Sequence, residues 1–132
     1  MKDNSILIEK KYNKKQNYWR SEIRQFVSGI KHRVKIEFVK NGRFTNTSEE
    51  SLSYDFSFTF EKRIWYVSIF VGIDENNVER IFIYTYSDKE NKDLVFEKEY
   101  EGFDGIRDWE SDIIKAINKK RVADMGSKYP IP

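Results

Sequence analysis

Cysteine is absent from the 132-residue sequence, which excludes disulfide bonds, thiolate zinc sites and cysteine nucleophiles. Because small domains outside the cytoplasm often depend on disulfides, we expect a cytoplasmic protein. The apolar run Ile6–Ile8 is too short for a signal peptide. No apolar run approaches the roughly 18 residues that cross a membrane, so we expect no membrane contact.

Histidine and glycine are scarce, and their positions exclude several kinds of active site. The single histidine, His32, rules out zinc sites that need two histidines, and we expect it to be a solvated residue between a helix and a strand. None of the six glycines belongs to a dinucleotide-binding motif or a P-loop. We therefore predict a protein that has no catalytic residues, no metal site and no cofactor.

Proline occurs only at positions 130 and 132. Each proline disfavours a helix in the residue before it, so we predict an extended tail over residues 123–132. Aromatic residues are abundant, with 10 Phe, 8 Tyr and 3 Trp, and they can build one core. A chain of this length has the commonest size of a single domain. We predict one domain over 1–132, in which 1–16 form a basic and partly mobile lead-in.

Two segments carry apolar residues at helical spacing. The first predicts a helix over 17–31, and the second predicts a C-terminal helix that Asp104 caps. Residues 5–11, before the first helix, are predicted as a short strand. The apolar stripe consists of Tyr18, Trp19, Ile23, Phe26, Val27 and Ile30 in the first helix, and of Ile106, Trp109, Ile113, Ala116 and Ile117 in the second.

Apolar and polar residues alternate with a period of two in five segments between the helices. Turn signals such as Asn41-Gly42 and 74–77 separate these segments, and connections this short favour antiparallel neighbours. We predict an α+β fold: a single antiparallel β-sheet, a meander of about five to six strands, with an N-terminal and a C-terminal helix packed on one face. The five segments are 34–38, 52–60, 64–73, 79–87 and 94–100.

The second face of this sheet is predicted to carry more aromatic side chains than one core face needs. A phenol tolerates water at one end, so tyrosines suit a partly hydrated surface. Residues 88–112 hold ten acidic and four basic residues, and such acidic groups steer a basic partner while rigid rings anchor it. The predicted protein-binding residues are Tyr66, Tyr84, Tyr86, Glu97, Glu99 and Glu101.

These observations favour a non-catalytic protein that binds and inhibits another protein. A bacterial immunity protein or antitoxin acts in this way, and so does a phage or mobile-element anti-defence protein. Either would occlude a site on a toxin or a defence effector. The sequence leaves open whether the aromatic face is a binding surface, the interface of a homodimer, or core.

Two alternatives remain. Residues 1–46 hold twelve basic and four acidic residues, and the segment 10–20 interleaves lysines with aromatics, a pattern typical of nucleic-acid binding. A small-molecule or enzymatic pocket inside a curled sheet is the other alternative. The nucleic-acid residues would be Lys10, Lys11, Lys14, Lys15, Trp19 and Arg20.

Overall fold

The computed structural model describes residues 2–30 and 38–128 of the chain. Five strands lie between two long helices, and a short helix and a 3₁₀ turn precede the last helix. The helices are α1 (Lys2–Ile30), α2 (Gly102–Gly105) and α3 (Trp109–Lys128), and the 3₁₀ turn is Ile106–Asp108. The strands are β1 (Phe38–Ser48), β2 (Ser51–Phe60), β3 (Arg63–Ile73), β4 (Glu79–Tyr86) and β5 (Leu94–Tyr100).

The five strands form one antiparallel sheet in the order of the sequence, β1-β2-β3-β4-β5. The predicted α+β meander is therefore confirmed. Alternate residues point to opposite faces, so β2 buries the even-numbered side chains from Leu52 to Phe60 and leaves the odd-numbered ones partly or fully exposed. In β3 and β4 the odd-numbered residues are the buried ones, Trp65 and Ile83 among them.

Both long helices pack on the same face of the sheet, where Trp109 lies at the centre of the core. Its ring contacts Phe26 of α1 at 5.8 Å between centroids, and Phe58 of β2 at 5.5 Å. Its indole Nε1 donates a hydrogen bond to Thr85 Oγ1 of β4 at 3.3 Å. The apolar stripe of α1 is buried as well except for Tyr18, which is 53% exposed, and Trp19 and Ile23 are fully enclosed.

The prediction of a turn at Asn41-Gly42 is wrong, because these residues lie inside β1 and the hairpin turns at 49–50. The register of β1 against β2 shifts between Lys40 and Arg43, so Gly42 belongs to a bulge. A Cβ at this position would collide with the backbone carbonyl of Asp55. The Gly42 N–H donates to Tyr54 Oη at 2.7 Å. Glycine is needed here for a close approach between strands, and not for a chain reversal.

Both chain ends are more helical than predicted. Residues 5–11 belong to α1 and form no strand, because two alternating isoleucines are a weak signal among good helix formers such as Lys and Glu. The lead-in is helical from Lys2 for the same reason. Residues 123–128 continue α3, since a proline restricts only the residue before it. Positions 129–132, His32 and most of the predicted strand 34–38 lie outside the described residues.

Replacing Trp109 with alanine should lower the free energy of unfolding by about 3–5 kcal/mol, because a fully buried indole at the centre of the core leaves a cavity. Chemical denaturation followed by circular dichroism measures the change. Ile64→Ala is the control: this side chain is 51% exposed, and its loss should cost less than about 1 kcal/mol. A Trp109→Ala variant as stable as the control would contradict the central role of this residue.

Candidate protein-binding face

The face of the sheet opposite the helices is called the open face here. Its side chains alternate with the core side chains along each strand, and the strand register aligns them in rows across the sheet. The described residues of the open face include Arg43 and Thr45 on β1, Ser53, Asp55, Ser57 and Thr59 on β2, Ile64, Tyr66, Ser68 and Phe70 on β3, Arg80, Phe82, Tyr84 and Tyr86 on β4, and Glu97 and Glu99 on β5.

An aromatic strip runs along β3 and β4 on the open face. Phe70 pairs with Phe82 and Tyr66 with Tyr86 in the strand register, while Tyr84 lies between the two pairs. The rings of Phe82 and Tyr84 stack at 6.3 Å with an interplanar angle of 16°, and Phe70 lies 6.5 Å from Phe82. All five side chains are half-buried, so each keeps part of its ring accessible to a partner.

The three predicted tyrosines, Tyr66, Tyr84 and Tyr86, thus lie together. Phe70 and Phe82 belong to the same strip and were not among the predicted residues. The signal that could have found them is the same alternation, because each lies an even number of residues from a predicted tyrosine on its own strand. Burial raises the pKa of Tyr86 above its ordinary value.

Glu97 and Glu99 border the aromatic strip, as the sequence suggested. Glu97 pairs with Tyr84 in the register and Glu99 pairs with Phe82, and both carboxylates are exposed. Glu101 follows the end of β5 and has no partner on β4 in this register. Two of the three predicted acidic residues therefore adjoin the rings, and Glu101 lies beyond them.

Glu99 forms a two-point ion pair with Arg80 of β4. Arg80 Nε lies 2.6 Å from Glu99 Oε1, and the terminal guanidinium nitrogen lies 2.7 Å from Oε2. The guanidinium also sits over the ring of Phe82, 5.3 Å from its centroid. The hydrogen bonds from Arg80 lower the pKa of the Glu99 carboxyl below its ordinary value. The Arg80–Glu99 pair partly neutralises the charge at this end of the aromatic strip. Glu97 forms no ion pair with another described residue.

The residues predicted for nucleic-acid binding are divided between the surface and the core. Lys10, Lys11, Lys14 and Lys15 all lie in α1, and the Lys14 side chain is exposed. Trp19 is fully buried, and its Nε1 donates to Glu79 Oε2 at 2.8 Å. The guanidinium of Arg20 lies 5.2 Å from the centre of the Phe44 ring. Trp19 therefore cannot stack on a base in this structure, because its place in the helical stripe makes it a core residue.

Two of the concave sites formed by the described residues lie at the margin of the core. One is a groove of about 630 Å³ between β5 and α3, and the other is a cleft of about 170 Å³ between α1 and the short helix α2. The buried Phe and Tyr side chains of the core face pack against the helices, for example Phe56 and Phe58 against Trp109. The small-molecule or enzymatic alternative requires a pocket inside a curled sheet, and neither of these two sites is such a pocket.

Comparisons with protein-family models, with curated proteins and with solved structures give no match. Within residues 2–30 and 38–128, no group of three or more His, Cys, Asp or Glu side chains could hold a metal ion. No helix in the same part of the chain is long and apolar enough to cross a membrane.

Replacing Arg80 with glutamine should raise the pKa of Glu99 towards the ordinary glutamate value of about 4.3, because the donors that favour the carboxylate are lost. Since folding lowers this pKa, the pair stabilises the fold above the unfolded pKa, and that contribution disappears as pH falls through the folded value. Carbon-detected NMR titration of the Glu99 side-chain carboxyl measures this pKa in the wild type and in the variant. Lys62→Gln, in the turn between β2 and β3, is the control and should leave Glu99 unchanged. An unaltered titration in Arg80→Gln would refute the ion pair.

Proposed function

We propose that this chain is a non-catalytic inhibitor that acts in the cytoplasm and covers a site on another protein with its open face. The observation that carries the proposal is the aromatic strip: five half-buried rings on adjacent strands, on the face that neither long helix covers. The proposed partner is a toxin or a defence effector. An immunity protein or a phage anti-defence protein would be built for this task.

The strip has the physical properties of a binding surface. Tyr and Phe rings bury a large area and have few rotatable bonds, so they lose little conformational entropy when a partner covers them. The ring contacts along Phe70, Phe82 and Tyr84 fix their arrangement before binding. The exposed carboxylate of Glu97 beside the strip favours a partner with a basic site, since opposite charges accelerate encounter.

Of the three described carboxylates on the open face, Glu99 is held by Arg80, and the other two are too far apart to cooperate in hydrolysis, which supports binding over catalysis. Asp55 on β2 and Glu97 on β5 belong to the same cross-strand row, three strand spacings apart. Three spacings amount to about 14 Å, which is wider than the roughly 10 Å within which paired carboxylates cooperate in hydrolysis. Ser68 and Tyr84 occupy the row between them.

A photo-crosslinking amino acid at Ser57, which pairs with Tyr66 on the open face, tests the proposal in cells of the native host. The matched control carries the same group at Ser111, which is exposed on α3. We expect one protein to be captured from position 57 and not from position 111. Its activity should fall when the purified chain is added in equal amount.

The double variant Phe82→Ala/Tyr84→Ala should weaken the complex by about 1,000-fold, since anchoring rings contribute about 2 kcal/mol each to binding and every 1.4 kcal/mol is tenfold. Calorimetry with the captured protein measures the loss, and circular dichroism verifies that the variant is folded. Ser111→Ala should bind like the wild type. If position 57 captures only a second copy of this chain, and the double substitution dissociates the dimer, the open face is the interface of a homodimer and the inhibitor proposal is wrong. Equal affinity of both variants would reject the open face as the contact.

Nucleic-acid binding through α1 is a second candidate, which one observation favours. The four lysines at positions 10, 11, 14 and 15 share one helix. Their spacing places them within an arc of about 140° around its axis. A lysine row of this kind can follow a phosphate backbone without any stacked ring.

Replacing Lys10, Lys11, Lys14 and Lys15 with glutamine should then abolish binding to single-stranded DNA or RNA. Binding by the wild type should fall steeply as salt increases, because phosphate contacts release counterions. Fluorescence anisotropy with labelled oligonucleotides measures both effects. Absence of binding by the wild type at low salt would eliminate this candidate and leave the inhibitor proposal intact.

A further inference from the structure

Strand β5 is an edge of the sheet, and its described strand pairing is with β4 alone. Its central residues, Glu97, Lys98 and Glu99, are exposed. An edge strand presents backbone N–H and C=O groups on its outer side, and these groups can pair with an incoming strand. The outer side of β5 is therefore able to receive one.

A groove of about 630 Å³ adjoins this edge, between β5 and α3. Val95, Phe96 and Ala116 form its apolar part, and all three are only partly buried against the core. An irregularity in β5 brings two adjacent apolar residues to the groove. Phe96 pairs with Thr85 of the core face, whereas Leu94 pairs with a residue of the open face. The edge thus combines free backbone groups with an apolar surface for side chains.

The unpaired charge of the groove is positive. Lys115 and Lys119 lie one helical turn apart on α3 and line the groove, and no ion pair joins either of them to a described residue. The other charged lining residues are already paired: Asp112 with a lysine of β5 at 3.2 Å, and Lys120 with Asp93 at 3.3 Å. A ligand seated here would meet two free ammonium groups.

We propose that this groove binds an extended segment of a partner polypeptide, added to β5 as a sixth strand, whose groove-facing side chains are apolar and acidic. Main-chain hydrogen bonds to β5 would supply affinity, and Lys115 and Lys119 would select the acidic side chains. A second copy of this chain fits less well. Full antiparallel pairing of two β5 strands would set Glu97 opposite its own counterpart, and like charges in that position destabilise a sheet.

The groove lies on the helix side of the sheet, so this proposal does not depend on the function proposed for the open face. A capped octapeptide in which threonine alternates with valine and glutamate (TVTETVTE) is the probe, and its lysine counterpart (TVTKTVTK) is the control. Fluorescence anisotropy of the labelled peptides with the full chain at low salt measures binding. We expect saturable binding of the acidic peptide alone.

Lys115→Glu/Lys119→Glu should weaken binding of the acidic peptide by about tenfold or more. The matched control, Lys14→Glu/Lys62→Glu, makes the same change in net charge at two exposed lysines elsewhere and should leave binding unchanged. Backbone N-methylation tests strand addition directly. Two peptides are methylated at alternate amides, one at the N–H groups that would face β5 and the other at the N–H groups that would face outwards. The first should lose binding and the second should keep it.

Four outcomes would overturn the proposal: no binding of the acidic peptide, equal binding of the basic peptide, equal behaviour of the two methylated peptides, or an equal loss in both lysine variants. Stronger binding of an eight-nucleotide oligothymidylate through Lys115 and Lys119 would also overturn it, since it would assign the groove to nucleic acid. Circular dichroism spectra of both variants show whether a loss of binding comes from unfolding.

Discussion

The arrangement of the two long helices on the sheet depends on the contacts of one residue, Trp109. One indole at the start of α3 touches α1 through Phe26 and β2 through Phe58, and bonds to β4 through Thr85. These segments are far apart in the chain, so the ring fixes both helices over the same face of the sheet. The position of α3 beside β5 follows from this contact, and with it the groove at that edge.

Because both long helices occupy one face, the two faces of the sheet have different compositions. The core face carries branched aliphatic and aromatic side chains that are almost fully buried. The composition of the open face changes from strand to strand: Arg43 and Thr45 lie on β1, serines, a threonine and Asp55 on β2, rings on β3 and β4, and carboxylates on β5. A partner that crossed from β2 to β5 would meet hydroxyls, then rings, then acids. Such an ordered surface fixes orientation as well as affinity.

The sheet, both helical stripes and the common position of Tyr66, Tyr84 and Tyr86 could be predicted, because alternation and helical spacing act within one segment. Features that depend on distant partners could not. The approach of Asp55 to Gly42 turns an apparent Asn-Gly turn into a bulge. Basic neighbours made Trp19 resemble a stacking residue, although its side chain is fully buried and its indole bonds to Glu79. Likewise, nothing near Glu99 in the sequence announces its bond to Arg80, 19 residues earlier.

The two edges of the sheet are unequal. The register of β1 is interrupted twice, between Lys40 and Arg43 and between Thr45 and Ser48, whereas β5 has one irregularity near its start. Bulges twist an edge away from a regular ladder, so β1 is the poorer template for another chain. Fibre growth by strand addition requires that every subunit both donate and accept an edge. A sheet with a single receptive margin ends such a chain reaction at its first step, so this asymmetry disfavours polymerisation of the folded domain by strand addition.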